Sequence, residues 1–163
     1  MKIKIGDQGF TLLEIMGVVI LFGLIALLSV NPIKDYLKRM EFKNSGQNIK
    51  RLIQTAQSRA MANPDTHMGV YFDLAGSPQK AFAFQDKANP KLYQYDGSAD
   101  PAYLSPETLK RGVTFKKLPG YPQEIVFRGD GSAYKSMKIV LTDGTLEDTL
   151  DVLASTGRVR LGL

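Results

Sequence analysis

The chain has 163 residues, 44% of them hydrophobic and only 9% aromatic, which suits one domain with a modest core plus an anchor and is too short for two full domains. With no cysteine, disulfide frameworks and thiolate metal sites are excluded, so any folded part holds together by packing. The formal charge of +5 invites a nucleic-acid reading, but residues 31–62 hold seven bases against two acids while 63–163 balance twelve against twelve.

That basic segment follows an apolar run, where lipid headgroups or neighbouring subunits are nearer counter-charges than DNA. Phe10 to Val30 contains only Thr11, Glu14 and Ser29 as strongly polar members. As a helix it would span roughly 31 Å at about 1.5 Å per residue, one membrane crossing. A cleavable secretory signal is the competing reading, since Lys2 and Lys4 precede the run. Its apolar region would be only ~7–15 residues, however, and no small-x-small site follows here. Charge does not set the orientation, because Lys2 and Lys4 compete with Lys34, Lys38, Arg39 and Lys43 on the other flank.

After Pro32, the residues Ile33, Tyr36, Leu37 and Met40 fall at helical spacing, and Ile49, Leu52, Ile53 and Ala56 repeat the pattern. This predicts an amphipathic helix whose stripe covers a sheet encoded downstream. Asn63-Pro64 stops it, because a residue before proline is pushed out of the helical region.

From Thr66 onward the pattern changes to short β-type runs at 68–74, 81–85, 92–95, 112–118, 124–128, 137–142, 146–153 and 158–161. Val113 and Phe115 alternate with Thr114 and Lys116, as do Val159 and Leu161 with Arg158 and Arg160, predicting one buried and one wet face. Asp130-Gly131 and Asp143-Gly144 suit tight hairpins. Residues 85–110 are rich in Pro, Asp, Ser and Gly and predict an irregular surface excursion apart from the short run at 92–95. The chain has no internal repeats.

The motif that narrows the function is Gly9-Phe10-Thr11-Leu12-Leu13-Glu14 at the head of the apolar run. It resembles the type IV prepilin signal: a short basic leader ending in glycine, then phenylalanine, then a glutamate, then some twenty apolar residues. The resemblance implies that a membrane-embedded prepilin peptidase cuts between Gly9 and Phe10 and that Phe10 is then N-methylated. Independently, a carboxylate inside an apolar span costs a few kcal/mol and should be paired. A new amine at Phe10 fits poorly with Glu14 in the same helix, but between staggered helices the amine of one subunit meets the carboxylate of the next. A glutamate that snorkels to the headgroups or is protonated is the plainer alternative. Gly23 and Pro32 resemble the helix-weakening glycine and proline of pilins. The family's proline falls one place earlier, where this chain has Asn31, and proline by itself predicts a kink.

Further along, 55–62 (TAQSRAMA), 68–74 (MGVYFDL) and 154–161 (ASTGRVRL) follow a membrane helix in an order similar to the FimT/GspH family of minor pilins and pseudopilins, over residues 49–74 and 124–161. Members of that family serve type IV pili, including DNA uptake, or the type II secretion pseudopilus. Gly157-Arg158-Val159-Arg160 matches the Gly-Arg-x-Arg motif of members implicated in DNA uptake. On a strand the two arginines would share a face about 6–7 Å apart, a spacing suited to neighbouring phosphates, with Lys135 and Lys138 as accessory contacts. Outward arginines on a last edge strand also guard against edge-to-edge aggregation, which needs no DNA.

Other motifs carry little. His67 is the only histidine, so His-based metal sites and Ser/His/Asp triads have no support. Arg128-Gly129-Asp130 spells an adhesion tripeptide but precedes a turn, and 129–132 lacks the spacing and lysine of a phosphate loop. Asp143, Glu147, Asp148 and Asp151 read as a solvated acidic face before a calcium site.

The expected fold is α+β, a long N-terminal helix packed on an antiparallel head of roughly six to eight strands. Its expected segments are a leader at 1–9, a transmembrane assembly helix at 10–31, an amphipathic stem at 32–62 and a β-rich head at 63–163. No catalytic residues, metal, cofactor or small-molecule substrate are expected, so the chain does not read as an enzyme. The resemblance implies other pilins or pseudopilins, the prepilin peptidase and the bacterial inner membrane as partners, with DNA as the alternative. It also places the head in the periplasm or outside, and the subunit in a filament after assembly.

Overall fold

A computed structural model describes residues 9–87, 93–110 and 112–162, with side chains at all of these except 27–32 and 98. The leader up to Gln8, Leu92 of the expected strand at 92–95 and the side chains of Asn31 and Pro32 therefore lie outside the described residues. One helix, α1 (Leu12–Ala62), is followed by β1 (His67–Asp73), β2 (Lys80–Asp86), a short 3-10 turn (Gly97–Ala99), β3 (Glu107–Thr108), β4 (Thr114–Lys117), β5 (Glu124–Phe127), β6 (Met137–Thr142), β7 (Glu147–Val152) and β8 (Val159–Gly162). The chain divides into two compact units, one ending at Arg39 and one from Met40 onward.

In the first unit the helix assignment runs unbroken through Gly23 and Pro32. Its apolar residues are open to solvent in the single chain: Phe10, Leu12 and Leu13 are each about four-fifths exposed, and Ile33, Tyr36 and Leu37 more than half. The expectation that this part of the stripe covers the chain's own sheet is therefore corrected. Of the apolar side chains of α1 only the later Phe42, Ile49, Leu52, Ile53, Ala56 and Ala60 are buried among the described residues. Among the described residues no helix is long and apolar enough to cross a membrane. The described side chains of the apolar run stop at Ala26, short of Val30.

The second unit contains the end of α1 and two four-stranded antiparallel sheets, ordered β3-β2-β1-β5 and β4-β6-β7-β8. The helix ends where Asn63 takes its last bond, N–H to the Arg59 carbonyl at 3.1 Å, and Thr66 donates back to the Asn63 carbonyl at 2.9 Å. Ile53 and Ala56 from the helix, Val70, Phe72 and Ile125 from the first sheet, and Ile139, Leu141 and Leu150 from the second share one core. Alternation decides which side chains enter it: Val70 pairs with Ala83 and Ile125 inward, while Gly69 pairs with Phe84 and Val126 outward.

The first sheet is covered on both faces, which is why β1 and β2 are buried along nearly their whole length. A second cluster of Phe82, Phe84 and Val126, joined by Tyr71, Tyr93 and Tyr95, lies on its outer face. Tyr93 and Tyr95 belong to the stretch expected to be a strand at 92–95, and the described part is not one. Tyr93 takes a positive φ of 63° and gives its N–H to Asp86 Oδ2 at 2.6 Å, while Asp100 accepts from Lys87 and Asp96 N–H groups at 3.0 and 2.7 Å. Buried carboxylates hold the start of the excursion, and its later part returns to β2 through Gln85 N–H to the Pro101 carbonyl at 3.1 Å and Tyr103 N–H to the Ala83 carbonyl at 2.8 Å. Gly69 makes room for the Phe84 ring on that outer face: a Cβ there would run into the ring and lie 2.9 Å from the Ile125 carbonyl.

The two turn dipeptides behave differently. Asp143-Gly144 joins the paired strands β6 and β7, with Asp143 Oδ1 accepting the N–H groups of Thr145 and Leu146 at 2.8 and 2.7 Å. Asp130-Gly131 connects strands of different sheets, and only a single Phe127–Ala133 bridge marks it as hairpin-like.

Candidate functional site

The residues singled out by sequence fall in three places. At the first, Gly9 and Phe10 are exposed ahead of α1, and Thr11 and Glu14 close a reciprocal cap on it. The Thr11 N–H and hydroxyl reach Glu14 Oε2 at 3.1 and 3.2 Å, and the Glu14 N–H donates to Thr11 Oγ1 at 3.2 Å. A Thr-x-x-Glu box satisfies N–H groups that a first helical turn leaves open, and a negative charge there also suits the helix dipole. Glu14 therefore has hydrogen-bond partners within its own chain. The Thr-x-x-Glu spacing is legible in the sequence as a capping box.

The second place is the β7–β8 hairpin. Arg158 and Arg160 are exposed and alternate with buried Val159, as expected, and β8 is the edge of its sheet. Asp151 stands directly across from both Arg160 and Lys138, so an acid sits between two bases on the outer face. Opposite charges in such cross-strand positions attract at Cβ separations of about 4.5–5.5 Å. The glycine of the motif has a structural task. Gly157 takes a φ of +61°, and a Cβ there would overlap the Gly131 carbonyl and the Gln57 amide and lie 3.2 Å from Phe127. Gln57 Nε2 donates to the Gly131 carbonyl at 2.8 Å and lies 3.4 Å from that of Thr156, tying the hairpin and the 128–131 turn to the helix.

Lys135 belongs to a third place, beside the first sheet. Its ammonium lies 5.4 Å from the Tyr134 ring centroid. Tyr134 stacks on Tyr93 at 4.2 Å, and the Arg128 guanidinium sits over both rings at 5.3 and 5.6 Å. Local sequence does not reveal this cluster, because Tyr93 comes from a part of the chain far from Arg128, Tyr134 and Lys135. A cavity of about 290 Å³ lies beside it, lined by Tyr93, Glu124, Val126, Tyr134 and Lys135 among others. Burial raises the Glu124 carboxyl above its usual range, against the opposing pull of Lys117 and Lys135. The Arg-Gly-Asp stretch is turn chemistry: Gly131 N–H donates to the Arg128 carbonyl at 2.9 Å and Ser132 N–H to Asp130 Oδ1 at 2.8 Å.

The expected acidic face is corrected at one residue. Asp148 is 5% exposed and its Oδ1 has no hydrogen-bond partner, because its register puts it on the inner face with Leu150 and Val152. Burial raises its pKa. Among the described residues no group of His, Asp and Glu is arranged to hold a metal ion.

No protein-family model and no curated protein matches the sequence. Solved structures do. One of the minor pseudopilin EpsH from the type II secretion system of Vibrio cholerae aligns with a TM-score of 0.52 at 16% identity, covering 74% of this chain and 95% of that one. A second structure of the same pseudopilin gives 0.51 and 17%, with 75% and 93% covered. At that identity the likeness is one of fold: an N-terminal helix packed on antiparallel sheets, pilin-like in the manner of GspH.

Proposed function

We propose that this chain is a minor pseudopilin of a type II secretion pseudopilus, or of the related type IV pilus, and that it acts by assembling rather than by catalysis. The single observation that carries the reading is the shared fold with EpsH over nearly all of that structure. The prepilin-like run Gly9 to Glu14 and the exposed apolar helix behind it support it independently. In this reading the sequence from Phe10 to Val30 anchors the subunit in the inner membrane, with the head in the periplasm. The peptidase removes residues 1–9 and methylates Phe10, and the apolar surface of the helix is covered by neighbouring subunits. Glu14, held in its cap until then, meets the new amine of an adjacent chain.

Mass spectrometry of the protein from cells with and without an active prepilin peptidase tests this directly. The expected product begins at methylated Phe10 only when the enzyme is present, and retention of the first nine residues in both strains overturns the reading. Glu14→Leu is expected to leave processing intact and to remove the subunit from cross-linked filaments.

The alternative is a pilus subunit that captures DNA. It is favoured by the exposure of Arg158, just before β8, and Arg160 within it, and weakened by Asp151 between Arg160 and Lys138. A salt-dependent shift of duplex DNA that disappears in the Arg158→Ala/Arg160→Ala variant supports it; no shift at low salt ends it.

A further inference from the structure

The strand β5 is the edge of its sheet, and the geometry says which of its backbone groups face outward. Phe72 N–H donates to the Gln123 carbonyl at 3.1 Å, so Gln123, Ile125 and Phe127 turn their backbones to β1. Glu124 and Val126 therefore point away from the sheet. The chain covers part of this edge itself. Tyr134 N–H donates to the Val126 carbonyl and Arg128 N–H to that of Ser132, each at 2.8 Å, and the ladder stops there. Among the described residues, the N–H and C=O of Glu124 and the N–H of Val126 have no hydrogen-bond partner, and Val126, 2% exposed, is reached only through the cavity that it lines. The cavity of about 290 Å³ is lined by Glu124 and Val126 from this stretch and by Tyr93, Gln94, Tyr134 and Lys135, among others.

We propose that the open edge of β5, with the cavity beside it, is a strand-addition site that takes an extended acidic segment of another polypeptide. The backbone groups select a polypeptide. They alternate donor and acceptor, which an added strand satisfies in full, whereas a phosphate backbone offers only acceptors and would face the Glu124 carbonyl. The surrounding charge selects acidity. Lys135 lines the cavity and, with Lys117, is close enough to act on Glu124, so two cations face one carboxyl, while Arg128 sits over Tyr134. Two lysines against one carboxyl leave a surplus of positive charge at the site, and that surplus attracts an incoming acid. Tyr134 limits the site at the Val126 end, so the added segment ends or turns away there. The site does not depend on the filament reading, since its groups all lie in the head.

The test uses the full chain in detergent micelles and three synthetic peptides: alternating valine and glutamate, alternating valine and lysine, and the glutamate peptide N-methylated at alternate amides. The glutamate peptide is expected to bind and to slow hydrogen exchange at Glu124 and Val126. N-methylation, by removing a backbone hydrogen bond, or Lys135→Glu, by reversing a charge contact, should each weaken it about tenfold. Glu124→Pro removes an outward N–H at a position where edge strands tolerate proline, and should also weaken binding with β1 and β2 still protected. No binding, equal binding of the N-methylated peptide, preference for the lysine peptide, or protection of the same amides by single-stranded DNA alone would each overturn the proposal.

Discussion

At Gly157 the left-handed φ and the crowding by Gly131, Gln57 and Phe127 leave no room for a side chain. Gly157→Ala should therefore destabilise the head by roughly 2–4 kcal/mol, read as a lower denaturation midpoint at unchanged m-value. A loss of function in that variant would report the fold and not DNA contact. Asp148 makes a prediction of opposite character. Its folded pKa is raised by burial above its unfolded value, so the folded state holds the proton more tightly. Its cost to stability is absent below the ordinary carboxylate range, appears as pH rises through the folded pKa, and stays above it. Asp148→Asn should flatten that part of a stability-against-pH curve. Asp143 runs the other way: the N–H groups of Leu146 and Thr145 hold it below its usual range, so its stabilising contribution is lost as pH falls through the lowered value.

Within α1 the same apolar periodicity has two outcomes. Ile53 is wholly buried against both sheets, and Ile53→Ala should cost about 2–5 kcal/mol in equilibrium unfolding. Leu37 is 54% exposed, and Leu37→Ala should change the stability of the single chain by no more than about 0.5 kcal/mol. If the filament reading holds, the second substitution should still reduce incorporation, because the exposed stripe is what neighbouring subunits would cover. The strands show a similar division. β8 alternates cleanly because one face is wet, whereas β1 and β2 do not, because the excursion carrying Tyr93 and Tyr95 buries their outer face.

Across the whole molecule, the second unit has a continuous core of its own and the first has none among the described residues. Removing the residues before Met40 should therefore leave a monomeric, cooperatively unfolding head, whereas the full chain should require detergent to stay dispersed. Size-exclusion chromatography with and without detergent distinguishes the two. Aggregation of the truncated head would mean that its core needs the preceding helix.

Local pattern alone determined the long helix and its end at Asn63-Pro64, seven of the eight described strands to within a few residues, and the α+β class. Each rests on neighbours in sequence: periodicity, proline sterics and strand alternation. Only tertiary structure decided which half of the helical stripe is covered, that Asp148 faces inward, that Gly157 is a packing residue, and that Tyr93, Arg128 and Tyr134 meet beside an open strand edge. The tiny β3 and the Tyr93 turn were equally illegible, because long-range pairings and buried carboxylates hold them in place. Those outcomes depend on which distant surfaces exclude water from one another, and no window of local sequence contains that information.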